Sequence, residues 1–227
     1  MSQARFVALD DAGPDDAVVV IDVLRAFTTE AWALHRGAPR VLAVAAAERA
    51  FALRDADIGD AVLAGEDGGR PMDGFDTGNS PSAVAGMDLT GRTFVHRTSA
   101  GTQGLVRCQD SPLLLAASFV TAAATARELR ASGAERVTYV ITGASLGRNG
   151  DEDLACAELI AARVAGEDPD PRPFLDRVPV SDAGRKFGSE PWLPSVDVDI
   201  SCEVDRFDFA LVARPIDDLD AIEVTGR

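Results

Sequence analysis

The chain has 227 residues with 46% hydrophobic content and no long apolar run, enough to bury a sizeable core. Its formal net charge of −15 opposes nucleic acid and anionic membrane, both of which need a basic face. No stretch approaches the roughly 20 apolar residues of a membrane helix, and residues 1–16 lack the apolar region of a secretory signal, so a cytoplasmic protein is expected.

Taken in chain order, an apolar β-branched run predicts a buried strand at 18–21, followed by a helix over 29–36. A strand at 41–44 and a helix over 46–55 come next, then strands at 61–64, 93–96 and 113–116. A helix over 122–131, a strand at 137–141, a helix over 154–164 and a strand at 209–212 complete the series. The strands are short and continuous, and they alternate with helices over most of the length. That pattern predicts a three-layer α/β/α sandwich around a largely parallel or mixed sheet with both faces covered. Residues 166–195 are dense in proline and charge. They read as a linker between two closely joined lobes of the one 1–227 unit, or as a long excursion folded over the sheet.

Cys108, Cys156 and Cys202 are odd in number and widely spaced. They are expected as small buried hydrophobes, with no disulfide framework or zinc site. Lysine occurs once, at Lys186, and arginine supplies every other cationic side chain. A GC-rich genome and adaptation to high salt both account for that composition. Against the field of the whole chain, an anionic ligand needs a local nest of donors or a metal ion.

In open α/β sheets, ligands gather beyond the carboxyl ends of the strands. Asp22, Arg25, Thr28 and Thr29 follow the first strand, GEDGG (65–69) the third and RTSAGT (97–102) the fourth. Ser118 follows the fifth and TGASLGRNGDED (142–153) the sixth. Each has a plain alternative: Asp22 as a helix cap, Glu66 as a solvated turn carboxylate, Asp151 and Glu152 as acids favoured by a helix dipole. Their convergence on strand ends favours a site. Arg25 offers a fork for bidentate oxyanion recognition. The TSAGT loop offers hydroxyls and the free N–H groups of a helix start. Asp22, Glu66, Glu152 and Asp153 supply the hard oxygen ligands that Mg²⁺ prefers. Arginine, hydroxyls and carboxylates together point to metal-assisted chemistry on a phosphate ester.

GFDTGNSP (74–81) reads as a tight loop before a Pro-started helix, either a structural turn or a source of substrate or metal contacts from Asn79 and Ser80. His35 and His96 lack metal-site spacing, and neither a P-loop nor a nucleophile elbow is present. VDVDI (196–200) and DLDAI (218–222) each hold an Asp-x-Asp pair, the pattern of haloacid-dehalogenase-type phosphatases. Neither follows an apolar strand in the N-terminal half, so alternation on a surface strand is expected for both.

These strings, in this order, resemble the 2-phosphosulfolactate phosphatase family. The family's Val-Ile-Asp-Val-Leu-Arg-Ala-Thr-Thr-Thr corresponds to VIDVLRAFTT (20–29), and its Gly-Phe-Asp-x-Gly-Asn-Ser-Pro is matched in full at 74–81. GEDGG, TSAGT, ASFVTA (117–122) and the pair Glu152-Asp153 follow the same order. The resemblance runs from about residue 18 to 164. It implies a Mg²⁺-dependent hydrolysis of the phosphate ester of a small 2-hydroxy acid, the coenzyme M pathway step from 2-phosphosulfolactate to sulfolactate.

By position the resemblance implies Asp22, Arg25, Glu66, Asn79, Ser80, Gly101, Thr102, Glu152 and Asp153 as site residues. Asp22 and Glu66 are then metal ligands, or one of them the base, with Glu152 and Asp153 completing the metal set. Arg25 with Thr98, Ser99, Gly101, Thr102 and Ser118 holds phosphate oxygens, and the Asn79 region meets the acid group. The sequence departs from the family at Asp67, Ser99, Ala100 and Thr121, losing an arginine and an amide among them. A divergent phosphatase acting on another phosphomonoester, and a non-catalytic anion-binding protein, are the alternative readings. A homodimer is left open.

Overall fold

The computed structural model describes residues 3–56, 58–145 and 148–227, so part of the 142–153 loop lies outside the described residues. The chain opens with strand β1 (Gln3–Ala8), then β2 (Ala17–Ile21), helix α1 (Ala26–His35), β3 (Val41–Ala43) and α2 (Ala47–Asp55). Next come β4 (Ala61–Asp67), β5 (Arg70–Pro71), α3 (Pro81–Ala85), β6 (Thr93–Arg97), α4 (Gly101–Arg107) and β7 (Leu113–Ala117). The remainder is α5 (Ala122–Ser132), β8 (Arg136–Ile141), α6 (Asp151–Val164), α7 (Arg172–Leu175), α8 (Val196–Ser201), β9 (Leu211–Ile216) and β10 (Ala221–Gly226).

All ten strands join one sheet, in the order β1-β8-β2-β7-β9-β10-β3-β6-β4-β5. The α/β sandwich expected from the sequence is present, and the sheet is mixed. β1, β8, β2 and β7 pair in parallel, as do β3, β6 and β4. The β9–β10 hairpin joins these blocks through antiparallel ladders on both sides. Alternate residues of β2 feed opposite cores, Val18 and Val20 under α1 and α4, Val19 and Ile21 under α5 and α6. A smaller cluster fills the space between α2 and β3, β4 and β6 through Leu42, Leu53, Leu63 and Val95. Both faces are therefore covered, which is why the strands read as unbroken apolar runs.

β2 and β4 run in opposite ladder senses, yet the loops after both reach one cavity. The usual twist between neighbouring strands, accumulated over the six steps from β2 to β4, amounts to roughly 120–150° and turns their carboxyl ends toward each other.

Several expectations are corrected. VDVDI lies in α8, not on a surface strand, and its buried residues Asp197, Val198 and Ser201 follow helical spacing. The last strand begins at Leu211, past the expected 209, and runs through Pro215 into a hairpin with β10. In DLDAI, Asp218 and Leu219 lie in a 3₁₀ turn, and only Ala221 and Ile222 enter β10. α1 starts three residues early because the Asp22 carboxylate accepts from Ala26 N–H at 3.0 Å. α6 starts at Asp151, so three acids occupy its first turn. Cys108 and Cys156 are buried as expected, Cys202 partly so, and all three are free. No helix among the described residues is long and apolar enough to cross a membrane.

Tyr139 is fully buried, stacked on Phe6 at 5.3 Å, and its hydroxyl has no partner among the described residues. Tyr139→Phe should therefore raise stability by about 1–3 kcal/mol in urea unfolding. A loss of stability would show that the hydroxyl is paired.

Candidate active site

Asp22 ends β2 in a cavity of about 350 Å³, shared with Arg25, Glu66, Asn79, Ser99 and Ala100. The family-like strings of 20–29, 65–69, 74–81 and 98–102 thus meet in space. Asp22 Oδ1 caps α1, whereas Oδ2 makes no hydrogen bond among the described residues. Gly101 lets α4 approach this carboxylate, since a Cβ there would lie 2.8 Å from Asp22 Oδ2 and 2.7 Å from Ala26 Cβ.

The first turn of α6 brings two more carboxyls near Asp22. Asp153 Oδ1 accepts from Val23 N–H at 2.8 Å, and Oδ2 from Gly143 N–H at 2.7 Å and Thr142 Oγ1 at 3.1 Å. With both oxygens engaged, Asp153 ties the end of β2 to the end of β8. Glu152 is buried, and its Oε2 has no partner among the described residues. Burial raises the carboxyl pKa of all three, Asp22 to about 6; repulsion from Glu66 and Glu152 adds to it at Asp22, from Glu152 and Asp22 at Asp153, and from Asp151 at Glu152. Arg148 is the cation that opposes this for both Asp22 and Glu152.

Glu66 lines the cavity, but its carboxylate is already committed. Oε1 accepts from Ser99 N–H at 2.6 Å, and Oε2 from Ser99 Oγ at 3.2 Å and from Gly69 N–H. It clasps β4 to the loop after β6. Thr98 and Thr102 spend their hydroxyls and amides on each other at 3.0 and 3.1 Å, capping α4. Ser80 caps α3 and donates to Asp197 at 2.9 Å. Ser118 is wholly buried and outside the cavity wall. Asp67, where the family carries arginine, is exposed and paired with Arg97 at 3.1 Å, also outside the wall. Thr121 is buried at the N-cap position of α5, where its hydroxyl donates to Ser118 O at 3.4 Å and caps no helix N–H among the described residues.

Arg25 is held from the C-terminal side of the chain. Nη1 donates to Asp197 Oδ2 and to Trp192 O, both at 2.8 Å, and Phe187 lies 5.4 Å from its guanidinium carbon. Asp197, 0% exposed, also accepts from Ser80 Oγ, Ser82 Oγ and Ser82 N–H. Within residues 166–195, Ala183, Lys186, Phe187 and Leu193 line the cavity wall. Sequence reasoning missed Asp197, Arg148 and Lys186. An aspartate beside small hydroxyl-rich loops was a signal, but VDVDI mimicked strand alternation.

Asn79 is oriented by a buried chain. Its Oδ1 lies 3.2 Å from His96 Nε2, and His96 Nδ1 lies 2.9 Å from Glu30 Oε1. An amide oxygen facing Nε2 requires that nitrogen to carry a proton. Burial raises the Glu30 pKa, and His96 opposes that rise. His96 therefore orients the Asn79 amide.

Among the described residues, no three His, Cys, Asp or Glu side chains converge closely enough to cage a metal ion. Mg²⁺ needs only one or two carboxylates, its other positions going to water and phosphate. Asp22 Oδ2 and the orphaned Glu152 Oε2 fit that open arrangement.

A 2-phosphosulpholactate phosphatase family model matches residues 7–183. The chain belongs to this family. A protein of Parasynechococcus marenigrum (strain WH8102), named probable 2-phosphosulfolactate phosphatase, is 43% identical over 155 residues, covering 68% of this chain and 63% of that protein. A Bacillus subtilis (strain 168) protein of the same name is 31% identical over 213 residues, 92% of each chain. One from Deinococcus radiodurans is 40% identical over 158 residues, 69% of this chain and 65% of its own. The match thus spans a little under two thirds of the cyanobacterial and Deinococcus relatives, and nearly all of the Bacillus one.

Asp197→Ala should cost about 3–5 kcal/mol in urea unfolding, because it leaves Arg25 buried and uncompensated. The pair Arg25→Met with Asp197→Leu should recover most of that. A cost below about 1 kcal/mol would remove the ion pair from the structural account. The chain holds two histidines, so ¹⁵N-histidine spectra resolve both rings. His96 Nε2 should give a protonated, pyrrole-type signal at neutral pH; a pyridine-type signal would reverse the Asn79 amide.

Proposed function

We propose that the chain is a Mg²⁺-dependent phosphatase for the monoester of a small 2-hydroxy acid, releasing sulfolactate and phosphate from 2-phosphosulfolactate. The observation that carries this reading is two desolvated carboxyls, each with an unengaged oxygen: Asp22, on the wall of a cavity that Arg25 and Arg148 also line, and Glu152, near enough to help raise the Asp22 pKa. Family membership supplies the reaction class. The cavity volume suits a small substrate.

Asp22 and Glu152 would hold the ion. Mg²⁺ supplies charge neutralisation for the phosphoryl oxygens and an acidified water. Arg25 keeps the N–H groups not taken by Asp197 and Trp192 for a phosphoryl oxygen, and the Asp197 contact fixes their direction. Asn79 presents its amide N–H₂ to the cavity because its oxygen is taken by His96. Leu24, Phe187 and Leu193 form an apolar wall that limits water around the ester. Glu66 and Asp153 act on position, the first on the 98–102 loop and the second on the β2 and β8 ends.

The test is phosphate release from 2-phosphosulfolactate, 2-phospholactate and p-nitrophenyl phosphate, with Mg²⁺ or with chelator. Turnover with Mg²⁺ that chelator removes is expected, and Mg²⁺ should raise the unfolding midpoint. Asp22→Asn should lower turnover by at least about 100-fold and lose the Mg²⁺ shift, with the circular dichroism spectrum retained. No turnover of any ester with metal present would leave the anion-binding reading instead.

A further inference from the structure

We propose that Lys186 and Arg148 form a second anion subsite, which takes the carboxylate or sulfonate of a substrate whose phosphate ester lies against Asp22 and Arg25. This rests on the phosphatase reading and names how the same site selects its substrate. Three cations line the cavity: Arg25, Arg148 and Lys186. Arg25 is answered by Asp197. Arg148 hydrogen-bonds only to Ser145 among the described residues, at 3.3 and 3.4 Å. Lys186, the sole lysine of the chain, makes no ion pair or side-chain hydrogen bond among them. In a chain of net charge −15, two cations on one cavity, neither in a direct ion pair among the described residues, describe a place for an anion.

The backbone around Lys186 is built to stay where it is. A Cβ on Gly184 would lie 2.1 Å from Val178 O, so the turn packs directly on the chain beneath it. Ser181 Oγ accepts from Gly184 N–H and donates to Val178 O, both at 2.9 Å. Lys186 N–H donates to Ala183 O and Phe187 N–H to Gly184 O, each at 3.1 Å. The neighbouring Phe187 ring rests against Arg25. One rigid turn therefore sets the Arg25 wall and carries the lysine. Lys186 lies beyond residues 7–183 of the family match.

The test is the ratio of kcat/KM for 2-phosphosulfolactate to kcat/KM for p-nitrophenyl phosphate, which has no second acid group. Lys186→Gln should lower that ratio by about 10- to 100-fold, the scale of one hydrogen bond to a charged group, chiefly through KM. Lys186→Arg should restore much of it. An equal loss on 2-phospholactate assigns the subsite to the carboxylate, and a loss confined to 2-phosphosulfolactate assigns it to the sulfonate. An unchanged ratio overturns the proposal. A chain that hydrolyses none of these esters defeats the phosphatase reading, and the subsite is then read by binding. Acylation of the single lysine amine should be slowed by sulfolactate and unaffected by inorganic phosphate; equal acylation rates in all three conditions would overturn the subsite.

Discussion

Three carboxyls, Asp22, Glu152 and Asp153, are kept together out of water at the ends of β2 and α6, and the surrounding fold answers that constraint. Burial raises the pKa of each, and repulsion from neighbouring carboxylates adds to it. A carboxyl raised in the folded state contributes stability while protonated, and that contribution is lost as pH rises through its folded pKa, about 6 for Asp22. At neutral pH the site therefore stores unfavourable charge. Part of it is offset by backbone N–H groups of Val23, Ala26 and Gly143 and by the start of α6. Val23 and Gly143 follow the adjacent parallel strands β2 and β8 and Ala26 starts α1, so satisfying the acids also fixes the strand ends. A divalent cation on the unengaged oxygens would relieve the remainder.

The second constraint runs through Asp197. A buried ion pair is weak evidence for stability in general, because desolvation consumes much of the attraction. Here the aspartate also takes two serine hydroxyls and a backbone N–H, so its lone pairs are satisfied without water. The result is registry. α8 cannot leave without releasing both Arg25 and the start of α3, and the 184–193 turn lies between those anchors. Cavity wall and guanidinium direction are set by one contact.

The strands were legible because both sheet faces are covered, which writes each as a compact apolar run. Asp22, Glu66 and Ser99 were legible as polar residues at strand ends and Asn79 as part of the loop before α3, a placement that the twist of the sheet brings to one cavity. Local sequence could not say how a side chain spends its hydrogen bonds. Thr98 and Thr102 look like phosphate donors until each is seen capping the other, and Asp153 looks like a metal ligand until three protein donors occupy it. Pro215 and the acids around it concealed a hairpin that holds the sheet's two halves together. VDVDI fits period two as well as it fits one helical turn, so only the buried partners of Asp197 decide between them.

Net charge also needs a local reading. At physiological salt the Debye length is about 8 Å, so most surface acids of this chain do not act inside the cavity. The groups that do are Asp22, Glu66 and Asp197 against Arg25, Arg148 and Lys186, three of each sign. Glu66 is bound to backbone N–H groups and Asp197 to Arg25, so the charges still free to meet a ligand are Asp22 and two cations. A simple phosphate ester uses one side of that arrangement. An ester with a second acid group uses both, and selectivity for a polyanion then follows from which local charges are already answered.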